Sequence, residues 1–326
     1  IAVARGDEAL AELFDGSAHG PAPLGDDEPG AEAGAVPRWL IPELYPFIDG
    51  PEQAALLERA PLDIRVNRMK GTVEQARTLL PEAKPVPDLP NAMRLPEGFA
   101  LEGHEAWNRG LVEVQDAGSQ HICGLCAAQP GETVIDLCAG AGGKTLALAD
   151  AMLGRGRLIA ADINRDRLSR LMPRAQRAGA GFIETLLLDQ AHEGRALAPL
   201  TGKADLVLID APCSGTGTWR RNPEARWRLT PDRLARYASE QARILDMAAP
   251  LVKPGGRIVY AVCSLNRVEG EGQMEAFLRR HSEWRAKPVD MPVGRSTGHG
   301  IALTPLHDHN DGFFMAELAA PAGQKS

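Results

Sequence analysis

The sequence predicts an α/β fold, a doubly wound parallel sheet preceded by a smaller α+β unit, and three observations carry this. After Gly110, short apolar runs alternate with helix-like segments, the pattern of parallel strands joined by crossover helices. A glycine-rich turn, Gly140 to Gly143, sits between the first run and the first helix, where backbone can approach a ligand closely. Asp162, Asp189 and Asp210 end the second, third and fourth runs, and ligands bind at the carboxyl ends of strands in open α/β sheets.

The elements follow in order. Residues 1 to 36 are rich in Gly, Ala, Pro and acid (Asp7, Glu8, Glu12, Asp26, Asp27, Glu28) and read as a loose or partly helical lead-in, a linker or remnant. Residues 37–110 form the α+β unit: helical periodicity to Ala60, a strand at Ile64 and Val66, a helix from Thr72 to Leu80, then breaks at Pro85, Pro87, Pro90 and Pro96. Residues 111–326 form the larger domain. Its strands are Val134–Leu137, Arg157–Ala161, Phe182–Leu188 and Leu206–Ile209, with a fifth after the turn Pro254-Gly255-Gly256 and one more at Asp311–Leu318. Helices are expected over Lys144–Leu153, over Asn164–Ala178, and from Pro231, where Thr230 caps a long helix with proline in its first turn.

The totals narrow the function. At 326 residues the chain suits two domains. It has no run of eighteen apolar residues and no secretory signal, so no membrane partner is expected. It begins at Ile1 rather than Met, so a native N-terminal piece is expected to be missing. Five cysteines without a disulfide pattern fit a reducing, cytoplasmic setting. Cys123 and Cys126 form a C-x-x-C with no second pair, so no metal is expected. A net charge of −7 argues against a general polyanion binder, but basic residues cluster locally. Arg155, Arg157, Arg165, Arg167, Arg170, Arg174 and Arg177 read as a solvated helix face. Arg220, Arg221, Arg226, Arg228, Arg233 and Arg236, interleaved with Trp219 and Trp227, read as a nucleic-acid surface.

The glycine turn, Asp136-Leu137-Cys138-Ala139-Gly140-Ala141-Gly142-Gly143-Lys144-Thr145, admits three readings. A phosphate-binding P-loop fails because Cys138 stands where its first glycine belongs. A dinucleotide fingerprint matches in part, with Thr145 in place of its last glycine. The third is an S-adenosylmethionine site. Asp162 suits the two ribose hydroxyls of either cofactor, and Asp189 suits an adenine amino group.

Two cysteines stand apart from the others. Cys213, in Asp210-Ala211-Pro212-Cys213-Ser214-Gly215, and Cys263, in Ala261-Val262-Cys263-Ser264, both lie at strand ends facing the expected cofactor, with Lys144 nearby to favour a thiolate. Cys138 reads as a small buried hydrophobe. A methyl donor beside a nucleophilic thiol suits one chemistry. Carbon 5 of a pyrimidine is too weak to attack a methylsulfonium until a thiolate has added at carbon 6. Asp210, raised in pKa by burial, would donate to ring nitrogen 3.

With these residues in view, the chain resembles the RsmB/Nop2/Sun family of RNA 5-methylcytosine methyltransferases. The likeness rests on Asp136–Ala139 with Gly142-Gly143-Lys144-Thr145, on the two cysteine motifs, on Arg65-Val66-Asn67 and Val114–Gln120, and on Asp311-Gly312-Phe313-Phe314. It runs from about residue 37 to the end and is strongest to the bacterial branch acting on 16S ribosomal RNA. The resemblance implies a Rossmann-like class I methyltransferase domain and an RNA-binding role for the smaller unit; a monomer is expected. It implies Cys263 as nucleophile, Cys213 as aid to product release, Asp210 holding the cytosine and Lys144 lining the pocket. Cys138, Ala139, Gly140, Ala141, Gly142, Gly143, Lys144, Asp162, Asp189 and Asp210 would surround S-adenosylmethionine. Two departures stand out: the family usually has Ala-Pro at Gly140-Ala141 and Thr at Val262. The rival readings are a DNA cytosine-5 methyltransferase using Cys213, an NAD-dependent oxidoreductase, and an inactive RNA-binding scaffold.

Overall fold

The computed structural model describes residues 12–17, 20, 22, 23, 25, 34–190 and 192–323. The chain divides into two units, Ile1–Ile41 and Pro42–Ser326. In the first, Asp15 accepts the Ser17 amide at 2.9 Å, and the Gly20 amide binds the Ser17 carbonyl at 3.2 Å. Asp7, Glu8, Asp26, Asp27 and Glu28 of the acidic lead-in lie outside the described residues.

The second unit holds two sheets. The smaller has strands β1 (Leu62–Val66), β2 (Lys84–Val86), β3 (Leu89–Leu95) and β4 (Val112–Val114), ordered β2-β3-β1-β4 and all antiparallel. Its fourth strand lies just after Gly110. Pro85, Pro87 and Pro90, expected to break the segment, instead lie within a hairpin that turns at Asp88 with φ 59°. Pro85 lies on the edge strand β2, and Pro90 falls beyond the residues of β3 paired to β1, so neither costs the ladder a needed donor. The helix Val73–Leu79 is capped as its sequence dictates: Thr72 and Gln75 exchange side-chain-to-backbone bonds in a capping box.

The larger sheet contains β5 (Thr133–Asp136), β6 (Arg157–Asp162), β7 (Glu184–Leu187), β8 (Ala204–Asp210), β9 (Val252–Val262), β10 (Arg285–Lys287), β11 (Arg295–Ser296), β12 (Ile301–Leu303) and β13 (Phe313–Ala319). Its order is β11-β12-β13-β9-β8-β5-β6-β7, with β10 also paired to β13. The run β9-β8-β5-β6-β7 is parallel, and β13 joins β9 antiparallel. The doubly wound α/β class is therefore observed. β5, β6, β8 and β9 contribute continuous buried stretches such as Leu206–Ile209 and Ile258–Val262, as a sheet covered on both faces requires.

Two local expectations change. The helix expected over Asn164–Ala178 is split into Arg165–Ser169 and Leu171–Ala178, because Pro173 has no N–H to give the Ser169 carbonyl. Pro254-Gly255-Gly256 lies inside β9 rather than before it, as an irregularity in the β8 pairing. A side chain at Gly256 would press on the Asp205 carbonyl at 2.9 Å, which is why glycine stands there.

The helix Ala117–Cys126 lies between the sheets and touches β1, β3 and β13. Asn67 donates to the Gly110 and Ala178 carbonyls at 3.0 and 2.8 Å, and Arg68 binds Asp150 through its amide at 2.7 Å. The Arg65-Val66-Asn67 and Gln115–Gln120 segments thus fasten the small sheet to the large one; Arg65 bonds Gln115 at 2.9 Å in the interior.

Candidate active site

β8 and β9 are neighbours, with Asp210 opposite Ala261, so the segments leaving their carboxyl ends run side by side. This brings Cys213 and Cys263 into contact, Sγ to Sγ 3.4 Å. Both thiols border one cavity of about 440 Å³, together with Cys138, Asp162 and Asp210. That volume falls in the ~300–1,000 Å³ range of small-molecule sites. Tyr237, Arg167, Ile163 and Leu188 also line it.

The two sulfurs differ electrostatically. The hydrogen bond from Cys213 lowers the Cys263 pKa and outweighs burial, whereas the same contact together with burial pushes Cys213 well up. The pair is therefore a thiolate-prone Cys263 beside a proton-holding Cys213. Removing the donor reverses the effect on Cys263: in Cys213→Ala, the pH midpoint for alkylation of Cys263 by iodoacetamide moves upward. Peptide mapping of alkylation rate against pH checks this; an unchanged or lower midpoint contradicts it.

Lys144, in the first turn of the helix Gly143–Ala151, gives a hydrogen bond to Asp210 Oδ2 at 2.7 Å. Burial works against its charge, but Asp210 more than offsets this and holds the ammonium above its usual pKa. Asp210, expected to act as an acid, thus meets a cation at 2.7 Å.

Asp162 is nearly buried, and each oxygen accepts one backbone N–H at 2.7 Å, Oδ2 from Gly140 and Oδ1 from Asn164. A carboxylate accepts about four bonds, which leaves room for two ribose hydroxyls. Gly140 (φ 54°) and Gly142 (φ 84°) shape the turn in the left-handed region that glycine tolerates. Asp189 sits differently from the expectation: its side chain is 85% exposed, beside His192, and outside the cavity lining. The neighbouring Leu188 and the half-exposed Ile163 give the cavity an apolar wall suited to a flat base. Ala139, Gly140, Ala141, Gly142 and Gly143 form the turn behind the cavity rather than its wall.

Three features escaped the sequence reading. Asp136 is buried, with Oδ2 accepting the Thr145 hydroxyl at 2.6 Å and Oδ1 without a partner; burial raises its pKa to about 7. An orphaned carboxylate oxygen beneath the glycine turn is the kind of acceptor that a ligand's ammonium satisfies. Ile163 was hidden as an ordinary apolar residue after a strand. Glu269, fully buried, accepts bonds from both cysteine loops. In Val268-Glu269-Gly270-Glu271 it reads as one surface acid among several, and nothing local marks it.

The basic groups separate as their spacing suggests in part. In the first, Arg157 pairs with Glu184, and Arg174 and Arg177 with Glu113. In the second, Trp219 is fully buried, and Arg220 and Arg221 pair with Asp311. Trp227 remains half exposed, with the Arg226 guanidinium 5.0 Å from its ring. Cys123 and Cys126 are buried on the Ala117–Cys126 helix, and no cluster suited to a metal occurs among the described residues. No helix among them is long and apolar enough to cross a membrane.

Comparison with known proteins agrees with this geometry. The chain is 36% identical to a probable ribosomal RNA small subunit methyltransferase B from Synechocystis sp., over 87% of this chain and 66% of that protein. It is 35% identical to ribosomal RNA small subunit methyltransferase B from Salmonella typhi, over 86% of this chain and 66% of that protein. The chain thus spans 66% of the length of these curated relatives. The crystal structure of a methyltransferase homologue from Pyrococcus horikoshii superposes with a TM-score of 0.74 at 25% identity, covering 87% of this chain and 93% of that one. Residues 124–319, which hold every residue of the cavity, match the family described as 16S rRNA methyltransferase RsmB/F. The chain belongs to the RsmB/F family of 16S rRNA methyltransferases.

Proposed function

We propose that this chain methylates carbon 5 of a cytosine in 16S ribosomal RNA, with S-adenosylmethionine as methyl donor and Cys263 as nucleophile. The observation that carries the reading is the 3.4 Å contact of two unlike thiols on the wall of a cofactor-sized cavity. The relatives' printed names supply the RNA class. Bound S-adenosylmethionine supplies a methyl carbon made electrophilic by its sulfonium.

The residues then act in sequence. Asp162 would hold the ribose, and the wall of Ile163 and Leu188 would take the adenine. The target cytosine leaves its stack to enter the cavity. Asp210, held by Lys144, accepts the exocyclic amino group of cytosine, a donor that uracil lacks. Cys263 Sγ bonds to carbon 6, the displaced ring electrons make carbon 5 nucleophilic, and carbon 5 would take the methyl group as its bond to the sulfonium sulfur breaks, leaving a neutral thioether. A base takes the carbon-5 proton. The freed pair restores the C5–C6 double bond and expels the Cys263 thiolate, which the Cys213 thiol stabilises by hydrogen bonding. One chain carries all these groups, so a monomer suffices. Two free thiols in contact call for a reducing compartment, the cytoplasm.

The test uses unmethylated 16S rRNA transcribed in vitro. Cys213→Ala with S-adenosylmethionine accumulates a covalent protein–RNA band on denaturing gels, because release is impaired. Cys263→Ala gives none. The reverse pattern assigns the nucleophile to Cys213 and overturns the mechanism. Thermal stabilisation by NAD alone would overturn the cofactor.

A further inference from the structure

Glu269 lies where two loops that carry reacting sulfurs meet. The first follows β8 through Cys213 and Ser214; the second follows β9 through Cys263 and Ser264. Glu269 is fully buried, yet all its side-chain donors are neutral. Oε1 accepts the Ser214 amide at 2.8 Å and the Gln241 amide group at 3.0 Å. Oε2 accepts the Ser264 hydroxyl at 2.6 Å and the Ser214 hydroxyl. The two hydroxyls also touch each other at 3.2 Å. Behind them Gln241 reaches the Pro212 carbonyl at 2.9 Å, and Tyr260 donates to the Glu269 carbonyl at 2.8 Å.

Keeping a carboxylate buried without an ion pair is costly unless its hydrogen bonds are complete. An apolar residue here would pack without that penalty, but it would join nothing. The carboxylate has four acceptor positions and spends three of them across two loops, each bond one residue removed from a reacting sulfur, and the fourth on Gln241 of the helix Pro231–Ala248. Resting on the proposed roles of those sulfurs, we infer that Glu269 is a positioning residue: it sets the distance and alignment between Cys213 and Cys263. The RNA and the methyl donor never touch it. It acts through Ser214 and Ser264.

This role separates from simple stabilisation by readouts that stability does not move. With Glu269→Ala the Cys213 loop loses its tie, and the thiol contact lengthens. In the folded fraction, the alkylation midpoint of Cys263 then rises toward that of Cys213→Ala, and no RNA is needed to see it. In turnover, kcat falls by about 100-fold, as expected for a displacement near 1 Å at reacting groups, KM for S-adenosylmethionine is unchanged, and covalent RNA adduct accumulates as it does in Cys213→Ala. Glu269→Gln restores both midpoint and turnover to within about tenfold, because its carbonyl keeps the Ser214 and Gln241 amides while the two hydroxyls turn to accept from its NH₂. Ser214→Ala, which removes one tie at a partly exposed position, shifts the midpoint in the same direction and guards against an unfolded Glu269→Ala.

A folded Glu269→Ala or Ser214→Ala with the wild-type midpoint overturns the inference. Adduct in Cys213→Ala but none in a folded Glu269→Ala overturns it too, with the proposed chemistry left standing. Absence of adduct in Cys213→Ala strikes the chemistry itself, while the alkylation arm still judges Glu269.

Discussion

Cys263→Ala lowers methyl transfer by about 10⁴-fold or more, the scale of losing a covalent nucleophile. The reason is that nothing near it can take over. Cys213 is 3.4 Å away, and although the variant removes the Cys263 contact that raises its pKa most, burial still pushes it up. Cys138 also borders the cavity, and burial with nearby acids raises its pKa well above that of a free thiol. Incorporation of labelled methyl from S-adenosylmethionine into unmethylated 16S rRNA measures the loss. Binding of S-adenosylmethionine to the same variant, read by calorimetry, stays near wild type because Asp162 and the Gly140 turn are untouched. A variant that keeps more than a tenth of wild-type turnover removes Cys263 from the mechanism.

Asp210→Ala has two consequences of comparable weight. In the proposed mechanism it removes the acceptor for the cytosine amino group, worth about 10²–10⁴-fold in rate for a positioned acid or base. In stability it strands Lys144, whose side chain is only 11% exposed, without its partner. Breaking a fully buried pair costs about 3–5 kcal/mol; with Asp210 33% exposed, solvent screening brings the cost nearer to about 2 kcal/mol. Urea unfolding and single-turnover kinetics on one preparation report both. Lys144→Met in the same background recovers stability without recovering rate, since it removes the stranded charge and leaves the ring without its acceptor. Recovery of rate by that second change contradicts the role given to Asp210.

Much of the fold could be read from residues because its signals are local. Val134, Leu158, Leu206 and Ile258 sit in apolar runs that need two covered faces, and Thr72 and Thr230 announce their helices by capping chemistry. The hairpin across Pro87-Asp88 was hidden because a proline weakens a strand only where its N–H is needed, and that depends on which strand lies alongside. The site divides the same way. Each cysteine could be placed at a strand end, but their mutual contact depends on β8 and β9 being neighbours, a fact of topology rather than of either motif. Asp189 illustrates the opposite case: it follows its strand as expected, yet it faces solvent, while Leu188 before it lines the cavity. Alternation along an extended segment decides which residue faces inward, and a one-residue difference in register exchanges them. Glu269 carries no local signal at all, since its partners arrive from three separate segments.

The closing motif Asp311-Gly312-Phe313-Phe314 has a consequence for how the chain comes to be folded. The Gly312 amide binds the Gly217 carbonyl at 2.8 Å, and a β-carbon on Gly217 would fall 2.0 Å from the Gly312 oxygen, so the backbone after Cys213 is seated directly on the backbone leading into β13. A ribosome that has not yet read Gly312 holds a nascent polypeptide with both cysteines made and no floor beneath the first. Such a chain waits on a contact across nearly a hundred residues, of the non-local kind that forms slowly.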